Sequence, residues 1–234
     1  MSDQPSAQIN VPVIAAPAAT REAFVIRTYV HLFAAVLGFI GLELFYFSTG
    51  IAENLARALL GVNWLLVLGG FIIVSWLARG VAARAKTREV QYLGLGGFVF
   101  AESIIFVPLL FVANFYAPGA IRSAALLTLV GFTGLTAIAF QSRKDFTFLG
   151  GILKWAGILA LVAIVGAVVF GFGLGTWFSV AMIGVAGAAI LYDTSAVLRH
   201  FPEDAHVAAS LELFASVALM FWYVLRLVMS FGRD

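Results

Sequence analysis

The sequence predicts an all-α membrane protein, a bundle of seven transmembrane helices. The prediction rests on composition, on the length of the apolar runs and on the distribution of Lys and Arg. Of 234 residues 62% are hydrophobic and 11% charged, and mean hydropathy is +1.03, well outside the range of a water-soluble domain. A helical span needs about 20 mostly apolar residues. Seven such stretches occur, at roughly 24–47, 62–79, 91–113, 121–141, 148–172, 176–198 and 207–231.

Residues 1–22 contain prolines and no long apolar run, so they read as a flexible tail, with residues 23–234 forming the transmembrane domain. Breaks between spans fall at Pro118–Gly119, at the Lys-Asp of SRKDF, at Gly171–Gly175 and at Phe201–Asp204. With the tail in the cytoplasm, Arg21, Arg27, Arg79, Arg84, Lys86, Arg88, Arg143, Lys144, Lys154 and Arg199 lie inside. Only Arg57, Arg122, Arg226 and Arg233 lie outside, so the positive-inside rule predicts a cytoplasmic N-terminus. Gly184, Ala188 and their small neighbours in the sixth span read as close helix packing. The five tryptophans fall mostly near span ends and carry no expected chemistry.

Polar residues inside these runs are the functional candidates, because a carboxylate in hydrocarbon costs at least ~2.5 kcal/mol unless paired or wetted. Asp193 lies about five residues before the cytoplasmic end of the sixth span, and Glu212 about as far into the seventh. Two carboxylates at one depth on antiparallel helices can share a proton, which would make their separation pH-dependent. Arg79, ending the second span, can snorkel to that level as a latch or serve as a positive-inside anchor. Glu102, beside Ser103 and followed by Pro108, sits near mid-membrane facing the bundle interior; Glu43 and His31 in the first span are secondary polar candidates for a pore. A histidine like His31 is more often hydrogen-bonded within a bundle than a metal ligand.

No enzyme motif is present: the chain has no HExxH, GxSxG or P-loop, no cysteine, and only three scattered histidines. No catalytic residue or resident cofactor is expected. A net charge of +2 gives no sign of nucleic-acid binding, and no feature sets an oligomeric state. The expected partner is the lipid bilayer.

Three segments resemble the Bax inhibitor-1 (transmembrane Bax inhibitor motif) family: SRKDFTFLGG at Ser142–Gly151, ILYDTS at Ile190–Ser195, and FWYVLRLVMSFG at the end of the last span. FAESIIFVPLL at Phe100–Leu110 resembles the family's Glu-containing third span, and the likeness runs from about Arg27 to the C-terminus. It implies a bundle whose last helix is surrounded by the other six, and a pH-sensitive calcium leak. The implied sensor is a pair of aspartates on the last two spans, latched by an arginine ending the second. Asp193 and Arg79 match the first aspartate and the arginine, whereas alignment on Tyr-Val-Leu-Arg places Ser216 at the second aspartate, one turn after Glu212. Residues i and i+4 share a helix face, so Glu212 is a candidate substitute. Any Ca²⁺ contact would be transient, since calcium favours six to eight oxygen ligands. The bacterial YccA-like branch, similar in Asp193-Thr194-Ser195 and the terminal Arg-Asp, implies an alternative: a modulator of the membrane protease FtsH, engaged through the cytoplasmic tail. That branch also implies the bacterial inner membrane.

Overall fold

In the computed structural model, which describes residues 12–85, 87–142 and 144–232, the chain forms eight α-helices. They are α1 (Ala18–Ser48), α2 (Ile51–Leu60), α3 (Trp64–Arg84), α4 (Arg88–Tyr116), α5 (Ala120–Gln141), α6 (Leu149–Phe170), α7 (Gly175–Arg199) and α8 (His206–Phe231). All but α2 are long and apolar enough to cross a bilayer. The chain is therefore a seven-span membrane protein whose apolar helices imply contact with lipid.

Helix α2 was not anticipated, because a search for span-length apolar runs passes over a ten-residue amphipathic segment. Gly50, at a left-handed φ of 76°, turns the chain out of α1. Ala52 and Ala56 then pack with Tyr46 and Val107, while Glu53 and Arg57 pair along the exposed face. The expected breaks at Pro118–Gly119 and Gly171–Gly175 coincide with left-handed glycines at 119, 171 and 175.

Helix α8 is central. It packs against α1, α3, α4, α5 and α7, and Leu211, Leu213 and Leu225 are completely buried. The expectation of six surrounding spans is corrected to five, because α6 packs only against α7 and α3. None of its residues is buried, and as the most apolar of the spans it lies at the rim, where an all-round apolar surface suits lipid.

Gly94 on α4 packs against the backbone of α3. A Cβ there would stand 2.9 Å from both the Ala78 carbonyl oxygen and the Ala82 Cβ, so only glycine permits this crossing.

The expected tail boundary at residue 22 moves toward the N-terminus. Val13–Ala15 form a 3-10 turn, Pro17 precedes the first turn of α1, and Val13 is fully buried, its N–H donating to the Phe201 carbonyl at 2.9 Å. Val13 docks because its apolar side chain completes a cluster with Phe24, Val197 and Val207. The part of the tail reading that covers residues 1–11 lies outside the described residues.

Candidate functional site

At the end of the bundle where α3 finishes and α8 starts, three helices bring polar groups together. Arg79, Asp193 and Glu212 each lie within two turns of a helix end there. Arg79 Nη1 donates to Glu212 Oε2 at 2.6 Å, tying α3 to α8, and its guanidinium carbon lies 5.5 Å from the centre of the Phe98 ring. Ser216 Oγ donates to Asp193 Oδ2, tying α8 to α7. Glu212 and Ser216 are four residues apart and share a face of α8, yet they take partners from different helices.

The shared-proton pair expected between Asp193 and Glu212 is replaced by this arrangement. Each carboxyl has its own donor, a guanidinium for Glu212 and a hydroxyl for Asp193. Ser216 meets Asp193 directly, as its alignment with the second aspartate would require of a partner. Arg79 and Glu212 remain within electrostatic reach of Asp193. The snorkelling arginine thus makes a specific bond, and Glu212 holds it.

These side chains line one end of a cleft of about 1370 Å³ between α3, α4, α6, α7 and α8. The cleft exists because α6 stands off from α8. Glu102 lines its middle, and Trp64, Trp222 and Arg226 its opposite end, where the two indoles stack 6.1 Å apart. Glu102 is nearly buried, as expected of a residue facing the interior. No α1 residue lines the cleft, which separates Glu43 and His31 from it. His31 instead bonds within the bundle: Nδ1 lies 2.7 Å from the Arg27 carbonyl and Nε2 2.7 Å from the Tyr92 hydroxyl. The carbonyl can only accept, so Nδ1 donates to it, and in the neutral ring Nε2 accepts from Tyr92. Among the described residues no group of three or more His, Asp or Glu is placed to hold a metal ion.

Two sequence motifs meet beside the site. The Phe146 N–H, in the loop before α6, donates to Ser195 Oγ on α7 at 3.2 Å, and Arg199 Nε lies 3.7 Å from Asp145 Oδ1. Asp145 accepts from the Thr147 hydroxyl at 2.7 Å and the Thr147 N–H at 2.9 Å, which together hold its carboxyl below the usual value of 3.8, Arg199 adding a weaker attraction. A Cβ at Gly150 would stand 2.8 Å from Tyr192 Cε2, so glycine admits the ring next to Asp193. The sequence motifs SRKDFTFLGG and ILYDTS contain Gly150, Tyr192 and Ser195, but nothing in either showed that Phe146 would meet Ser195 or that Gly150 would face Tyr192.

The family model described as "Inhibitor of apoptosis-promoting Bax1" matches residues 21–233. The chain belongs to the Bax inhibitor-1 family. Similar members include the Golgi anti-apoptotic protein of vaccinia virus (strain Lister), 30% identical over 135 residues, 57% of this chain and 56% of the viral protein. An uncharacterised protein of Neisseria meningitidis serogroup A is 28% identical over 183 residues, 76% of this chain and 78% of that one. Bax inhibitor 1 of Schizosaccharomyces pombe is 28% identical over 173 residues, 70% of this chain and 61% of the yeast protein. In this family member the two motifs meet through the Phe146–Ser195 hydrogen bond, two residues along α7 from Asp193.

Proposed function

We propose that this Bax inhibitor-1 family member is a pH-sensitive cation leak, with Ca²⁺ as the cation class to test, in the bacterial inner membrane with its N-terminus in the cytoplasm. The observation that carries the reading is the pair of bonds Arg79–Glu212 and Ser216–Asp193 across one end of the cleft. Both fasten helices on either side of that end. An incoming proton on Glu212 removes the charge that holds Arg79, leaving a neutral acid that binds the guanidinium less strongly. Acid therefore loosens α3 from α8 and opens this end of the cleft, where the carboxyl oxygens are the polar groups a passing cation meets. The acidic oxygens are too few for a tight calcium site, which favours transient passage over storage. The concentration of Lys and Arg at this end supports the orientation.

The deciding experiment is calcium flux through purified protein in liposomes across pH. Glu212→Gln, which copies the protonated acid in shape and charge, should raise flux at neutral pH to the level the unaltered protein reaches in acid, and flatten its pH dependence. Asp193→Asn should also change the flux. Equal, pH-independent flux in all three proteins would refute the leak.

A partnership with the membrane protease FtsH through the N-terminal tail is the second reading, and one contact favours it. Because Val13 is fixed to the α7–α8 connection at Phe201, a pull on the N-terminus is transmitted to the helices that carry Asp193 and Glu212. Copurification from membranes, with and without residues 1–11, tests it; absence of the protease from the intact protein's complex would end it.

A further inference from the structure

Glu43 belongs to none of the contacts above. It is 7% exposed, and both its carboxyl oxygens are buried without a hydrogen-bond partner. Its place in the bundle is fixed by neighbours on the same face of α1. Phe39, one turn earlier, meets Phe106 with ring centres 5.1 Å apart, and the Tyr46 hydroxyl, one turn later, lies 3.3 Å from Ser103 Oγ. Glu43 therefore sits between α1 and α4, deep in the apolar interior. Pro108 adds a polar group near this level, because its ring leaves the Ile104 carbonyl without a helical N–H partner.

No charge on the packed elements neutralises Glu43. On α2, Glu53 and Arg57 pair with each other at the surface. On α4 Glu102, on α7 Asp193, and on α8 Glu212, Tyr223 and Arg226 all line the cleft, to which α1 contributes nothing. On α1 itself Arg27 and His31 lie three or more turns away, toward the opposite end. An ionised carboxylate in that setting would be an uncompensated buried charge, and a buried neutral acid avoids it by carrying a proton.

We propose that Glu43 is a second proton-binding site of this protein, set between α1 and α4 and separate from the Arg79–Glu212 and Ser216–Asp193 contacts. The step is acid dissociation: the Glu43 O–H bond breaks, the proton goes to water, and the electron pair stays on the carboxylate. The donors on this face that can answer the new charge are the Tyr46 hydroxyl, which must turn from Ser103 Oγ, the Ser103 hydroxyl, which must leave the Phe100 carbonyl 2.8 Å away, and water entering as α1 and α4 part. Release of this proton is thereby coupled to the packing of α1.

The full-length protein in lipid nanodiscs serves for the test, by infrared difference spectroscopy and by labelling with the hydrophobic reagent dicyclohexylcarbodiimide, which attacks protonated carboxyls. The peptide containing Glu43 should be labelled near neutral pH, and labelling should fall at least tenfold on raising the pH from about 5 to about 9. A protonated-acid carbonyl band should disappear in Glu43→Gln and persist in Asp193→Asn, which separates this site from the proposed leak. An unlabelled or pH-invariant Glu43 peptide, or a spectrum unchanged by Glu43→Gln, would overturn the proposal. So would protection by Na⁺ at constant pH, which would make the site one for a metal cation.

Discussion

Replacing Arg79 by Gln, Glu212 by Gln, and both together isolates the energy of the ion pair between α3 and α8. The side chains are 43% and 29% exposed and the bond is 2.6 Å long. A fully exposed pair contributes about 0.2–1 kcal/mol, and breaking a fully buried pair costs about 3–5 kcal/mol, much of it from the charge left behind. Solvent screening at this exposure removes most of the buried figure, while the Phe98 ring on one side of the guanidinium keeps the pair above the surface limit. A coupling energy of about 1–2 kcal/mol follows, close to a tenfold effect on the unfolding equilibrium at its upper half. The assay is reversible unfolding in mixed micelles, with the coupling taken as the departure of the double variant from the sum of the single ones. Repeating it at high salt should reduce the coupling without abolishing it. A value within about 0.3 kcal/mol of zero would mean that Arg79 is an anchor whose contact with Glu212 holds nothing together, and the gating argument would lose its first step.

Gly94→Ala should be destabilising by about 1–3 kcal/mol, the usual cost of overpacking, since the methyl meets backbone and Cβ atoms of α3. Ala78 flanks Arg79, so the same substitution should weaken the Arg79–Glu212 coupling; an unchanged melting temperature would show that α3 shifts freely. Asp145, outside the spans, has its carboxyl held below 3.8, so its contribution to stability is complete above that pH and disappears as pH falls through its lowered value. Asp145→Asn keeps an oxygen for Thr147 but should abolish this acid-limb dependence, read as melting temperature against pH. Val13→Ala removes buried apolar surface and should cost roughly 1.5 kcal/mol at about 0.8 kcal/mol per methylene equivalent, with faster proteolytic cleavage ahead of α1. Cleavage at an unchanged rate would mean that the Phe201 hydrogen bond alone fixes the segment.

The seven spans were legible because the bilayer demands a long apolar run, and that demand acts on each segment separately. The centrality of α8 came from the resemblance alone; in its own sequence, Ser210, Glu212 and Ser216 look like interruptions until their neighbours are in place. Helix α2 was illegible for the opposite reason: Glu53, four residues before Arg57, was its helical sign, but ten residues lack the apolar length that marked the others. The depth of Asp193 and Glu212 could be counted along their helices, whereas their azimuth could not, and azimuth decided the partners. Glu212 turned to Arg79 on α3, and Asp193 to Ser216. Glu43 ranked low because a span position shows a carboxylate's cost and not whether any donor answers it.

Serine at 216 changes what a proton can do at this site. A second carboxylate there would face Asp193 as a like charge, and protonation would act on the α7–α8 contact itself. With a hydroxyl in its place, Asp193 has a donor that stays neutral, so the α7–α8 bond does not require a proton to form. The negative charge that balances Arg79 stands instead at Glu212, one turn away, and its partner belongs to α3. The ion pair at this end therefore spans α3 and α8, on the side where α6 stands off from α8. Under the proposed mechanism, the move of one carboxylate by a helical turn transfers the pH-sensitive contact from α7 to α3 while Asp193 keeps its place, held by Ser216 from α8 and flanked by Tyr192 against Gly150.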